Sequence, residues 1–269
     1  MGDLIYLYGF MDRPNGEAIS QWISQGLFVI PYTDVAALVR YVPEEEFGEA
    51  VLNERMKDVK WLENQLWAHE KILEQVMKEQ TIIPLKWGTI FRSQQAVQRI
   101  LEDQHSVIRE LLEKLRGRQE WTVRVYLQRE RLNEIAKAQD PQIQRLATQV
   151  SKLSEGTAYL MSERIKLLTK EAGQRMLEAV LQEFLNQLTK NVEDSAVSDP
   201  VGGTSNPDGQ ELVFQRVFLV AGEKLQGFSD AISEAAKKWR QQGFEIHQVG
   251  PFPPYYFSHL ELKGSQSRG

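Results

Sequence analysis

The sequence predicts an α+β protein of two domains, each a small sheet backed by helices, the second of ferredoxin-like kind. Three observations predict it. The length, 269 residues, corresponds to about two domains at roughly 150 residues each. Short runs rich in aromatic and β-branched residues alternate with longer runs of helical period. Both halves carry this alternation, the order expected of small sheets with helices packed on one face. The polar hinge Gly117-Arg118-Gln119 divides the chain into 1–117 and 118–263, and the polar segment 264–269 reads as a disordered tail.

The first half opens on Asp3 to Phe10 (DLIYLYGF), a strand by composition, followed by the turn residues Asp12-Arg13-Pro14-Asn15-Gly16. A short helix is expected from Glu17 to Ser24, then strands over Gly26 to Ile30 and Val35 to Val42, with Tyr32-Thr33-Asp34 as the turn between them. From Glu44 to Glu79 the period becomes helical. Val59, Leu62, Leu66, His69, Leu73 and Val76 recur every three or four residues, one face of a helix. Three glutamates after Pro43 suit its positive N-terminal end. Thr81 to Phe91 reads as a strand broken by Pro84, hence an edge or a bulge. Ser93 is placed to cap a helix that ends near Gly117.

In the second half Trp121 to Leu127 alternates as a half-buried strand. Arg129 to Gln139 is helical, Asp140-Pro141 interrupts, and a long helical stretch follows to about Lys190. Residues 191–210 are rich in Gly, Pro, Ser and Asp and are expected to form a mobile loop. Leu212 to Val220 is a strand, Gly227 to Gln242 a helix ended by Gly243, and Phe244 to Val249 the last strand. The succession β, α, β, α, β gives the ferredoxin-like reading.

Composition narrows the chemistry. Apolar residues make up 42% and charged residues 26%, ordinary for a globular chain. The net charge of −5 argues against a nucleic-acid footprint over the whole chain. There are no cysteines, which removes disulfides, zinc fingers and thiol catalysis and fits a cytoplasmic protein. The N-terminus lacks the basic and small-residue features of a secretory signal, and no apolar run reaches about 18 residues, so no membrane span is expected.

Motifs for catalysis are missing: no phosphate loop, no dinucleotide fingerprint, no nucleophile elbow and no paired-histidine zinc spacing. No catalytic, cofactor-binding or metal-ligating residue is therefore assigned. His69 falls on the apolar stripe and reads as a hydrogen-bonded, partly buried histidine; His105 sits among polar residues and reads as solvated. The basic residues Lys114, Arg116, Arg118 and Arg124 read best as solvated helix ends. The most individual segment is Gly250-Pro251-Phe252-Pro253-Pro254-Tyr255-Tyr256-Phe257. Its prolines fix φ and remove backbone donors. It is either a rigid turn leading a strand back onto its sheet or a stiff aromatic surface for a partner.

That segment resembles the Gly-Pro-Trp-Pro-Pro-Tyr-Ser-Phe element of the gas vesicle GvpL/GvpF family. Further segments are similar in the same order. They are Leu7-Tyr8-Gly9; His69-Glu70-Lys71-Ile72-Leu73-Glu74; Ile82 to Phe91; Glu120 to Tyr126; and Gly156-Thr157-Ala158-Tyr159-Leu160 with Arg164. Lys86-Trp87 stands where the family more often has Arg-Phe, and Phe252 where it often has Trp. The resemblance implies a second domain of modified ferredoxin-like fold. It also implies a non-enzymatic minor component or assembly factor of gas vesicles, without cofactor, located in the cytoplasm or on the vesicle. Its implied partners are the shell protein GvpA and other accessory proteins, not nucleic acid or membrane. Two regions are the candidate contacts or structural motifs: Pro84, Lys86, Trp87, Gly88 and Phe91 on a sheet edge open to a partner strand, and Gly250, Pro251, Phe252, Pro254, Tyr255 and Phe257 at the C-terminus. The alternative is a small-molecule sensor or enzyme on a ferredoxin-like domain, which a deep pocket of convergent polar groups would favour.

Overall fold

A computed structural model describes residues 2–14, 22, 25–198 and 205–262. The helix expected over Glu17 to Ser24 lies outside them except for Trp22, and so does the tail beyond Leu262. The chain forms two compact units, 1–120 together with 251–269, and 121–250. Residues 251–262, read from the sequence as the end of the second domain, thus group with the first unit.

In the first unit, β1 (Asp3–Asp12), β2 (Leu27–Tyr32), β3 (Val35–Pro43) and β4 (Ile82–Pro84) form a sheet in the order β2-β3-β1-β4, with β5 (Ile90–Phe91) also on β1. The pairings are antiparallel; β1 runs from Asp3 opposite Pro43 to Asp12 opposite Val35, with a bulge between Leu7 and Gly9. Residues Ile5 to Met11 of β1 are all buried, which explains why this strand reads as a continuous apolar run rather than an alternating one. At Gly9 the β4 backbone passes so close that an added Cβ would lie 2.4 Å from the Ile83 carbonyl oxygen, so only glycine fits.

The single helix expected over Glu44 to Glu79 is three: α1 (Glu44–Phe47), α2 (Glu49–Arg55) and α3 (Val59–Met77). Gly48 adopts extended backbone between the first two, and Asp58 starts the third by accepting a hydrogen bond from the Trp61 amide (3.1 Å). The apolar stripe of α3 is buried at His69, Leu73 and Val76, whereas Val59 and Leu66 are exposed. The helix expected after Ser93 is likewise two, α4 (Gln94–Asp103) and α5 (His105–Leu115), parted at Gln104. Ser93 does cap α4, accepting from the Ala96 amide at 3.3 Å. Contrary to the solvated reading, His105 is hydrogen-bonded to Thr33 and Asp34, both at 2.7 Å.

The second unit follows β6 (Arg118–Leu127) with α6 (Arg129–Gln139), α7 (Pro141–Val150), α8 (Glu155–Leu188), β7 (Asp194–Val197), β8 (Glu211–Ala221), α9 (Leu225–Trp239) and β9 (Phe244–Phe252). Its four-stranded sheet has the order β7-β8-β6-β9. With β7 counted, the unit is the β-α-β-β-α-β succession of a ferredoxin-like fold, modified by the extra helices between β6 and β7. The expected loop over 191–210 is corrected here. Asp194 to Val197 pair antiparallel with Leu219 to Arg216, because strand pairing overrides a turn-like composition; residues 199–204 lie outside the described set. The core gathers Val123, Val125 and Leu127 of β6, Phe218 and Val220 of β8, Leu177, Val180, Phe184 and Leu188 of α8, and Phe228, Ile232 and Trp239 of α9. Ala136, Ile143, Ile165 and Ala172 form a separate small core among α6, α7 and α8.

Candidate functional site

In the first unit, segments distant in sequence converge on His69. Tyr6 and Tyr8, two residues apart on β1 and so on one face, both meet His69 of α3. Tyr8 stacks on the imidazole (centroids 5.3 Å apart, planes at 17°), and the Tyr6 hydroxyl lies 2.9 Å from His69 Nδ1. His69 Nε2 lies 3.1 Å from the Leu85 carbonyl oxygen. A carbonyl cannot donate, so Nε2 carries the proton and Nδ1 accepts from Tyr6. The Gly88 amide donates in turn to the Tyr6 oxygen at 3.1 Å, which its left-handed backbone (φ 80°) permits. His69 is thus a neutral imidazole with both nitrogens engaged. Burial lowers its pKa to about 4 against the support of the Leu85 bond.

The C-terminal segment closes over this cluster. Pro253 and Pro254 are buried, and a tight turn follows in which the Tyr255 amide donates to the Pro253 carbonyl (2.7 Å) and the Phe257 amide to the Pro254 carbonyl (3.3 Å). Ser258 is buried and donates its hydroxyl to the Pro254 carbonyl at 2.6 Å. The turn sends alternate aromatic side chains in opposite directions. Tyr255 reaches inward, donates to Glu70 Oε1 at 2.8 Å and lies 3.3 Å from His69 Nε2. Phe257 is only 5% exposed, with the Lys114 ammonium 5.5 Å from its ring centroid. Phe252 and Tyr256 face outward, 37% and 45% exposed. The Tyr256 amide donates to Glu120 Oε2 at 3.0 Å. Glu120 is 3% exposed, and burial pushes its carboxyl up to about 8, with the Tyr256 bond opposing. Burial also raises Glu70, Tyr6 and Tyr255 above their ordinary values. Burial in the cluster therefore favours the uncharged forms of both His69 and Glu120.

The two candidate regions meet here, since Gly88 and Tyr255 both act on the Tyr6–His69 pair. Pro84 and Phe91 are buried in β4 and β5, and Trp87 is half-buried with its ring edge-on to Trp61 at 6.1 Å. Within Pro84 to Phe91 only Lys86 is exposed; β4 ends its sheet, the edge position expected of a strand holding Pro84, with helices α3 and α5 against it. Gly250 and Pro251 are exposed, and Gly250 has φ 139°. Sequence reasoning missed Tyr6, Glu70 and Glu120 as partners. The available signal for Glu120 was a carboxylate at the start of an alternating strand.

The cluster's polar groups are spent on one another and on the segment that covers them. Among the described residues no group of histidine and carboxylate side chains is placed to hold a metal ion, and no helix is long and apolar enough to cross a membrane. Fold and site together define an α+β protein of two sheet-and-helix units whose most individual motifs build structure. The profile of the family described as gas vesicle synthesis protein GvpL/GvpF matches residues 4–259, and the chain belongs to that family. It is 25% identical over 232 residues to gas vesicle protein L of Streptomyces sp. (strain CB03234), covering 86% of this chain and 83% of that one. It is 24% identical over 266 residues to gas vesicle protein F of Nostoc sp. (strain PCC 7120), covering 97% and 100%. The crystal structure of the gas vesicle protein GvpF from Anabaena sp. PCC7120 superposes with a TM-score of 0.69 at 19% identity, over 97% of this chain and all of that one. That of GvpF from Microcystis aeruginosa gives 0.64 at 20% identity, over 96% and 99%. The α+β fold with two antiparallel sheets backed by helices is thus that of GvpF.

Proposed function

We propose that this chain is a non-catalytic accessory protein of gas vesicle formation, a minor component or assembly factor, acting in the cytoplasm or on the vesicle. It binds the shell protein GvpA and other gas vesicle proteins. The observation that carries this reading is the family match along nearly the whole chain. Apolar shell subunits associate before they are placed in a shell, and a binder that covers such surface shifts the assembly equilibrium by mass action. The outward pair Phe252 and Tyr256 is the contact this reading favours. Both rings are presented on a segment stiffened by prolines, so little conformational freedom is lost on binding.

The test is the double substitution Phe252→Ala with Tyr256→Ala, assayed by pull-down of purified GvpA and by thermal melting. Binding falls at least tenfold with the melting temperature unchanged if the pair makes the contact. Undiminished binding refutes the contact, and failure of the unmodified chain to capture GvpA or any other gas vesicle protein refutes the function.

A further inference from the structure

We propose that the second unit binds a small phosphorylated molecule in a cleft beside the start of β9. The cleft has a volume of about 940 Å³, within the range of ligand pockets, about 300–1,000 Å³. It is lined by Gly243 to Ile246 of the β9 start, the C-terminal part of α9, Gln128 and Arg131 at the start of α6, and Asp208 and Gln210 before β8. Gly243 is left-handed (φ 91°), and a Cβ there would lie 3.1 Å from the Gln128 carbonyl oxygen and 3.3 Å from Arg131 Cβ. Glycine thus lets the start of α6 lie close against β9.

The structure sorts the basic run Lys237, Lys238 and Arg240. Lys238 is ion-paired with Glu183. Lys237 and Arg240, three residues apart and so on one side, line the cleft and have no hydrogen-bond or ion-pair partner among the described residues. Arg131 joins them from α6. Its Nε donates to the Gln241 carbonyl at 2.7 Å, which orients the guanidinium, and neither terminal nitrogen has a partner among the described residues. A fourth donor is buried: Gln210 is 9% exposed and lines the cleft. Its backbone amide donates to Asn206 Oδ1 at 2.9 Å, so Asn206 Nδ2 is the donor to Gln210 Oε1 at 2.7 Å. The Gln210 NH2 group is thereby fixed, without an acceptor among the described residues. A buried donor beside three unpaired cations calls for an anion rich in acceptors. Phosphate suits best, because guanidinium groups bind its oxygens in pairs. Two carboxylates also line the cleft, Asp208 and Glu245, the latter held by His247 at 2.6 Å. They offer acceptors to ligand hydroxyl groups, which nucleotides and sugar phosphates both carry.

The test is calorimetric titration of the full chain with ATP, glucose 6-phosphate, adenosine and glucose. At least one of the two phosphates is expected to bind with a Kd below about 1 mM, and the tighter one names the source. Adenosine and glucose should not bind. Gln210→Glu keeps the oxygen that accepts from Asn206 and sets a carboxylate in place of the free NH2 group. It should weaken binding at least about tenfold, as should Lys237→Gln with Arg240→Gln. Lys238→Gln removes the same charge from the same helix outside the cleft and should change affinity less than about twofold. Melting temperatures establish that each variant is folded; should Gln210→Glu not fold, the Lys237 and Arg240 pair carries the test. Absence of binding by either phosphate up to about 10 mM, equal binding of adenosine or glucose, or an equal loss with Lys238→Gln overturns the proposal.

Discussion

Phe257→Ala separates a structural from a contact role for the C-terminal motif. The ring is 5% exposed, so truncation forfeits nearly the whole transfer free energy of a buried aromatic, about 1.5–3 kcal/mol. It also leaves a cavity, which brings Phe→Ala costs in cores to about 3–5 kcal/mol. The Lys114 ammonium over the ring adds about 0.5–1 kcal/mol. The segment can settle inward where a packed helix could not, which places the expected loss at the lower end, about 3 kcal/mol. Hydrogen exchange in peptides of the first unit, followed through a urea series, measures it without mixing in the second unit's unfolding. Tyr256→Ala, 45% exposed, is the internal reference and should change stability by less than about 0.5 kcal/mol. A Phe257→Ala loss below about 1 kcal/mol would show that the ring is not seated as described and refute the reasoning.

Three further substitutions probe the cluster and the sheet. Tyr255→Phe removes the bond to Glu70 and the approach to His69 while keeping the ring; a loss of about 1–2 kcal/mol is expected in thermal melts near neutral pH. His69 stays neutral in the folded chain down to about 4, below its ordinary 6.5. The unfolded chain therefore takes up a proton that the fold refuses as pH falls through this window. Its part of the stability, full above 6.5, is lost by pH 4, about 3 kcal/mol in all; the urea midpoint of His69→Gln should be flatter across that range. Gly9→Ala drives a methyl into the Ile83 carbonyl and to 2.9 Å from Ile82 Cγ1, with an expected cost of about 1–3 kcal/mol. A melting temperature unchanged by that substitution would show that β4 does not pack on β1 at this distance.

What was legible in the sequence depended on how local its cause was. Val35 to Val42 and Phe244 to Val249 announce strands because their own residues suit a pleated surface, and both lie within the observed ones. Ser93 announces its cap because the capped amide is three residues away. The break at Gly48 was hidden, since a single glycine inside a helical pattern costs only about 1 kcal/mol and does not by itself end a helix. Strand β7 was hidden because its partner, β8, begins more than ten residues later and its own composition favours turns. The cluster was least legible. Tyr6 meets His69 across 63 positions, Glu120 meets Tyr256 across 136, and Tyr255 meets Glu70 across 185. Nothing in the local pattern at any of these positions depends on the other.

The alternation of the C-terminal aromatics bears on how a partner can use them. A partner that bound Tyr255 or Phe257 would first have to lift them from their seats, and its apparent affinity would fall by the fraction of molecules in which the segment has left them. A partner that bound Phe252 and Tyr256 meets no such cost, because these rings are already outside while the prolines and the inward pair hold the backbone that carries them. The same motif therefore serves both readings that the sequence left open. Its inward residues make the turn rigid, and that rigidity makes the outward residues a preorganised surface. Weakening the inward half lowers affinity only through lost order, so binding should then track the stability of the first unit. Weakening the outward half lowers affinity at constant stability, and the two patterns are distinguishable in one set of variants.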